Sequence, residues 1–410
     1  MPIRVLIVDD SMLMRRALSM LLASDPEIEV VGTARDGRAA IEQVAALRPD
    51  VITMDVRMPV MDGLEATEHI MAYYPTPILV LTASLSRFDI DITFKMLGLG
   101  ALDVMEKPSS DEPGGLQQAR AELIRRVKML SRVRVVTHLR GRRREVSIPA
   151  EQPDPGLTES ARRVRGSRPL GGTDTLRRTR TGSKPLGSSE LLRRTRGSKL
   201  LATPPQAALS PAQCTASGAA NRLIVIGAST GGPRVVLQIL RNLPRALPAA
   251  VLLVQHIADG FTAGMVDWLQ SSCQMPVHLG QPGTLALPGN VYVAPDNLHL
   301  LVDADGVLSL SAQPALLQRP SVDVTMQRAA EAYGSRAIGV LLTGMGRDGA
   351  LGMAAIHRAA GLTIAQSGES CVVFGMPRAA IEARVVAEVL APEAIPGRLQ
   401  MVLRDCLVKG

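Results

Sequence analysis

Aromatic residues are scarce. One Trp, four Tyr and four Phe make up 2% of the 410 residues, so any core has to be built from aliphatic side chains. The four cysteines, Cys214, Cys273, Cys371 and Cys406, lie far apart with no CxxC pair. That argues against a disulfide framework or a zinc site, and it fits a reducing cytoplasm, the expected location. No apolar run approaches the roughly 20 residues needed to cross a bilayer. The opening MPIRVLIVDD meets acidic residues after a short apolar stretch, so no signal peptide is expected. Apolar content is ordinary, and the length allows two or three domains with real cores.

The net charge of +8 is unevenly placed. Between Pro108 and Ala220 there are 22 Lys and Arg against 9 Asp and Glu, a surplus of 13 that leaves about −5 for everything else. Folded parts are therefore mildly acidic and one middle segment is strongly basic. That segment repeats itself: GSRPLGGTDTLRRTR from Gly166 returns as GSKPLGSSELLRRTR from Gly182 and begins again at Gly197. The offsets are too short for a solenoid and each copy is too polar for a core, so residues 132–220 read as a low-complexity basic linker. Three roles fit it: a solvated tether, a docking strip for acidic helical bundles or anionic lipid, or a non-specific nucleic-acid contact.

On either side, short apolar runs alternate with amphipathic stretches. In residues 1–131, strands are expected at Arg4–Val8, Val30–Gly32, Val51–Met54, Ile78–Leu81 and Leu102–Met105. Helices are expected at Met12–Ala23, Gly37–Ala46, Gly63–Ala72 and Leu116–Leu130. Alternation resumes at Asn221 and runs to the C-terminus. Both halves should be α/β with parallel, doubly wound sheets.

In the first half, Asp9 and Asp10 close the first strand, Asp55 the third and Thr82 the fourth, and Lys107 follows the fifth. Parallel strands bring these ends to one edge. Clustered carboxylates repel unless a hard cation sits among them, which points to Mg²⁺. These residues, with the Met58-Pro59-Val60-Met61-Asp62-Gly63 turn, resemble the flavodoxin-like receiver domain of two-component response regulators. The resemblance implies Asp55 as phospho-acceptor, Asp9, Asp10 and Asp55 as metal ligands, Thr82 and Lys107 as the switch pair, and a histidine kinase as phosphodonor.

In the second half, Leu223–Ile226 runs into Gly227-Ala228-Ser229-Thr230-Gly231-Gly232-Pro233, a strand turning sharply into a helix. A serine there sits well for nucleophilic attack, though it equally suits a helix cap or a phosphate cradle. Of the six histidines, His256 alone follows a strand-like run, Ala250–Gln255, into a loop. Asp348 is presented after another, Ile338–Thr343. Ser, His and Asp on three strand ends suggest an activated hydroxyl, although a structural His and a plain Asp-Gly turn fit as well.

Here too a resemblance adds to the residues. GASTGG at 227–232, Gln255-His256 with Gly260-Phe261-Thr262, Arg319-Pro320-Ser321-Val322-Asp323-Val324, LTGMGRDG at 342–349 and CVVFGMP at 371–377 are similar to the catalytic domain of the chemotaxis protein-glutamate methylesterases, CheB. The resemblance covers about 221–400. It implies Ser229 as nucleophile, His256 as general base and acid, and Asp348 as orienting carboxylate, with Thr230 and Met345 around the oxyanion site and no cofactor in this domain. Ile257-Ala258 departs from the Met-Pro common after the histidine. The implied reaction hydrolyses glutamate methyl esters and deamidates glutamines on chemoreceptors, switched by phosphorylation. The domains expected are then receiver (1–131), linker (132–220) and hydrolase (221–410), in a chain expected to be monomeric. A DNA-binding regulator is disfavoured by the mild acidity outside the linker and the lack of a helix-turn-helix-like C-terminus, so no sequence-specific nucleic acid is expected. A nucleotide module is disfavoured because GASTGG matches neither the Walker pattern nor GxGxxG.

Overall fold

Strand β1 (Ile3–Val8) is buried on both faces, as its near-continuous apolar run requires, and it pairs in parallel with β2 (Ile28–Ala34) and β3 (Val51–Asp55). With β4 (Ile78–Thr82) and β5 (Asp103–Glu106) they form a five-stranded sheet of order β2-β1-β3-β4-β5. The computed structural model describes residues 1–83, 86–108, 115–133, 135, 222–316 and 318–405. The chain falls into two units, 1–147 with 218–410 and 148–217. Most of the basic linker expected from the sequence, with its repeats, lies outside the described residues.

Helices α1 (Met12–Ala23) and α5 (Gly115–Leu130) cover one face of this sheet, where Leu18, Leu22, Leu123 and Val127 meet Val5 and Ile7. Helices α2 (Gly37–Leu47), α3 (Gly63–Tyr73) and α4 (Arg87–Leu99) cover the other, against Leu6 and Val8. Helix α4 has no counterpart in the sequence reading. Asp89-Ile90-Asp91-Ile92 alternates with the period of a strand, which hides the helical face made by Ile90, Phe94 and Leu97. Its start is capped by Ser86, whose hydroxyl accepts from the Asp89 N–H and donates to the Asp89 carboxylate.

The second sheet has seven parallel strands, ordered β14-β13-β12-β6-β7-β9-β8. They are β6 (Arg222–Ala228), β7 (Ala249–Gln255), β8 (Val277–Leu279), β9 (Val291–Val293), β12 (Ala337–Leu341), β13 (Leu362–Gln366) and β14 (Glu388–Leu390). A two-stranded antiparallel ribbon, β10 (His299–Val302) and β11 (Leu308–Ser311), stands apart. Alternate residues of β6 feed two cores. Ile224 and Ile226 join α6 (Gly232–Arg241), α7 (Thr262–Ser272) and α11 (Ile395–Asp405), whereas Leu223 and Val225 join α8 (Val322–Tyr333), α9 (Ala350–Arg358) and α10 (Met376–Glu382). The sheet is doubly wound: from β6 the chain moves outward to β7 on one side, and from β12 outward to β13 on the other. The crevice between β6 and β12 is thus the topological switch point, where such folds bind ligands.

The two sheets share one continuous apolar cluster. Phe94 of α4 stacks on Trp268 of α7 with ring centroids 5.3 Å apart. Gly264 of α7 lies where an added Cβ would come within 1.8 Å of Ile90, so the helices touch through a glycine.

Candidate active site and phosphoacceptor pocket

All five groups expected at the carboxyl edge of the first sheet are there. Lys107 Nζ lies 2.7 Å from Asp9 Oδ2 and 2.9 Å from Asp55 Oδ2. Asp10 is exposed, and one oxygen from each of Asp9, Asp10 and Asp55 lies within 4.8 Å of the others. Thr82 is buried at the end of β4, and its carbonyl accepts from the Lys107 N–H at 2.8 Å. Burial pushes the Asp55 carboxyl up, a shift opposed by the Lys107 ammonium and reinforced by the charge of Asp9. Burial alone would lower Lys107, but its hydrogen bonds and ion pairs with Asp9 and Asp55 outweigh that and raise it. Gly63, at the start of α3, passes so close to Asp55 that an added Cβ would sit 2.0 Å from the Asp55 carbonyl oxygen. Only glycine lets the helix begin there.

At the second sheet, Ser229, His256 and Asp348 follow β6, β7 and β12, which are immediate neighbours. The Ser229 N–H donates to the Thr343 carbonyl and the His256 N–H to the Ala228 carbonyl, tying the three loops together. Gln255, almost wholly buried, donates from Nε2 to the carbonyls of both Ser229 and His256. Gly344 leaves no room for a side chain, since an added Cβ would come within 2.7 Å of the Ser229 Cβ. His256 Nε2 lies 2.9 Å from Asp348 Oδ2. No hydrogen bond joins Ser229 Oγ to His256 among the described residues.

Asp348 is held from several sides. Its Oδ1 accepts from Ser321 Oγ at 2.9 Å and from the N–H groups of Asp323 and Gly349 at 2.9 and 3.1 Å. Its Oδ2 accepts from the Val322 N–H at 2.7 Å. Burial would raise this carboxyl, but the hydrogen bond and charge of His256, with the N–H groups at the start of α8, bring it down to about 2. Nearby Asp323 goes the other way. Burial and the charge of Asp348 raise it to about 6, against the Gly352 N–H that it accepts at 2.7 Å. Of two adjacent carboxyls, the one with more donors is held down and the other is pushed up.

Thr230 and Met345, which the resemblance sets around an oxyanion site, have side chains engaged with the first half. Thr230 Oγ1 donates to Asp103 Oδ2 at 3.1 Å, and the Gly231 N–H donates to the Leu102 carbonyl at 3.1 Å. Arg126 of α5 pairs with the same Asp103 at 2.9 Å, and Arg125 meets the Met345 sulfur. Ser321 lies in the Arg319–Val324 motif, where the resemblance gives it no part. A serine just before a helix, with an acid two residues on, is the N-cap signal that could have singled it out. Gln255 and Thr343 stand within the quoted motifs without a part of their own, because nothing local marks a buried amide or hydroxyl that bonds to another loop.

A receiver-type sheet with an acidic edge, joined to a doubly wound domain presenting Ser, His and Asp at its switch point, defines a response regulator with a hydrolase-like output domain. The response regulator receiver domain family matches residues 5–116, and the CheB methylesterase family matches residues 224–399. A protein-glutamate methylesterase/protein-glutamine glutaminase of Anaeromyxobacter dehalogenans is 39% identical over 404 residues, spanning 98% of this chain and 99% of that protein. The same-named protein of Symbiobacterium thermophilum is 38% identical over 395 residues, 96% of this chain and 95% of that one. Among solved structures, the CheB methylesterase catalytic domain of Thermotoga maritima is 40% identical and covers 44% of this chain and 98% of its own, with a TM-score of 0.43. The chain belongs to the protein-glutamate methylesterase/protein-glutamine glutaminase family. No described helix is long and apolar enough to cross a membrane.

Proposed function

We propose that the chain hydrolyses γ-glutamyl methyl esters, and deamidates glutamines, on chemoreceptors, and that phosphorylation of Asp55 by a histidine kinase raises this activity. The observation that carries the reading is the convergence of Ser229, His256 and Asp348 on three adjacent strand ends, with the imidazole already bonded to the carboxylate. Asp348 accepts from Nε2, so Nε2 carries the proton and Nδ1 is left to act as base. His256 then takes the Ser229 hydroxyl proton while Oγ attacks the ester carbonyl. Backbone N–H groups near the start of α6 stabilise the oxyanion. The same proton passes to the departing methoxide, or to the departing amide nitrogen of glutamine, releasing methanol or ammonia. Water, deprotonated by His256, cleaves the acyl-enzyme and leaves glutamate.

Three carboxylates offering hard oxygen donors within one ion's reach suit Mg²⁺, which Asp9, Asp10 and Asp55 would hold and which would balance the charge of an incoming phosphoryl group. Lys107 then pairs with the new phosphoryl oxygens on Asp55. Lys107 and Asp103 bracket β5, so movement at the phosphorylated edge has a direct route to the Thr230 contact. Methanol release from methylated receptor, with and without a small phosphodonor and Mg²⁺, tests the proposal. Wild type should accelerate with phosphodonor. Asp55→Asn should keep the basal rate and lose the response, and a response that survives this change would remove Asp55 from the switch.

The same contacts set the resting rate. A hydrogen bond such as Thr230–Asp103 contributes about 1 kcal/mol, enough to shift a two-state population about fivefold. Asp103→Ala should therefore raise unphosphorylated methanol release several-fold while changing the phosphorylated rate little. An unchanged resting rate would mean that this contact restrains nothing.

A further inference from the structure

We infer that buried His299, acting through Ser321, is a positioning residue that sets the direction of the Asp348 carboxylate; this rests on the hydrolase reading above. His299 opens the β10–β11 ribbon and is fully buried. Its Nδ1 accepts the Ser321 N–H at 3.0 Å, and a backbone N–H can only donate, so the ring proton sits on Nε2 and is given to the Pro314 carbonyl at 2.9 Å. The imidazole thus pins the residue before α8 to a ribbon outside the catalytic sheet. Both ring nitrogens are satisfied, and neither touches the groups assigned to the chemistry.

What His299 holds matters because of where the next three residues point. Ser321 is the N-cap of α8, and its hydroxyl accepts from the Val324 N–H while donating to Asp348 Oδ1. The Val322 and Asp323 N–H groups donate to the two oxygens of the same carboxylate. Three of its donors other than His256 therefore come from residues 321–323, whose entry into the helix is fixed from behind by His299. Gly227 of β6 lets Val322 press directly on the sheet, since an added Cβ there would lie 2.3 Å from a Val322 methyl. The carboxylate that aims His256 is itself aimed by a helix end, and the helix end by a histidine on another element.

The test uses the full-length protein and two independent readouts. Ser321→Ala and His299→Gln should lower kcat for methanol release by about 10- to 100-fold, with KM within about twofold, as expected for slight misplacement of a catalytic group. Ser321→Thr, which keeps the hydroxyl, should stay within about threefold of wild type. In proton NMR, the downfield resonance of the His256–Asp348 proton, assigned by its absence from Asp348→Asn, should broaden or vanish in Ser321→Ala and persist in Ser321→Thr. Should His299→Gln fail to fold, His299→Asn, whose amide oxygen can take the place of Nδ1 as acceptor of the Ser321 N–H, is expected to keep kcat and the resonance near wild type. A His299→Gln or Ser321→Ala protein with a lowered Tm but unchanged kcat and resonance would overturn the inference. A wild type that releases no methanol would fault the hydrolase reading instead, and the resonance alone would then decide the positioning role.

Discussion

Ser229→Ala is expected to lower methanol release from methylated receptor by about 10⁴- to 10⁶-fold, with phosphodonor present or absent. That loss corresponds to about 5–8 kcal/mol of transition-state stabilisation. The reason is chemical: alanine has no oxygen to form the acyl-enzyme, and water must attack the ester without a covalent intermediate. The fold should survive, because Ser229 is tied in by its backbone. Its N–H donates to Thr343, and its carbonyl accepts from Gly232 and Gln255. Unchanged thermal unfolding alongside lost activity is the expected pair of results. Ser229→Ala retaining a rate within tenfold of wild type would exclude the covalent route and leave a water-activating histidine as the alternative.

Asp348→Asn is the second large effect, a fall of about 10⁴-fold in kcat. An amide of the same shape can still meet His256, but it can present its NH₂ to the ring and so favour the wrong tautomer. It also puts a neutral group where Ser321, Val322, Asp323 and Gly349 donate to an anion. Leaving such donors poorly matched costs about 1–3 kcal/mol, so this variant, unlike Ser229→Ala, should also unfold more easily. The pH dependence follows from the direction of the Asp348 shift. The folded carboxyl is held at about 2, below its ordinary 3.8, so the stability it contributes is fully present above pH 4 and is lost as the pH falls through about 2. Asp323 shifts the other way, so it favours folding where it is protonated and its share declines as the pH rises through about 6. Acid titration of stability should therefore be flatter between about pH 4 and 2 in Asp348→Asn than in wild type. A parallel curve would show that the folded state does not hold Asp348 below its ordinary value.

Much of this was legible in the sequence because it is carried by strand ends. Apolar runs such as Val51–Met54 and Leu223–Ile226 are long enough and branched enough to read as buried parallel strands. In such a sheet whatever follows each run lands on one edge, so the pattern itself marks Asp9, Asp55, Thr82, Lys107, Ser229, His256 and Asp348. Helix α4 escaped because its Asp-Ile alternation mimics a strand and only packing against α7 shows which period is in use. The backbone could not be read by propensity where burial overruled it.

Local pattern suffices for the two α/β halves and the residues at their carboxyl edges, because a buried strand and the residue that ends it are marked by the apolar run itself. What tertiary structure alone decided is what those residues touch. It set Thr230 against Asp103, brought Ser321 and two N–H groups to Asp348, and placed His299 behind Ser321 from a ribbon some twenty residues earlier. Hydrogen bonds between loops on different strands leave no local periodicity. A buried histidine in a short apolar run looks like any other until the chain closes around it.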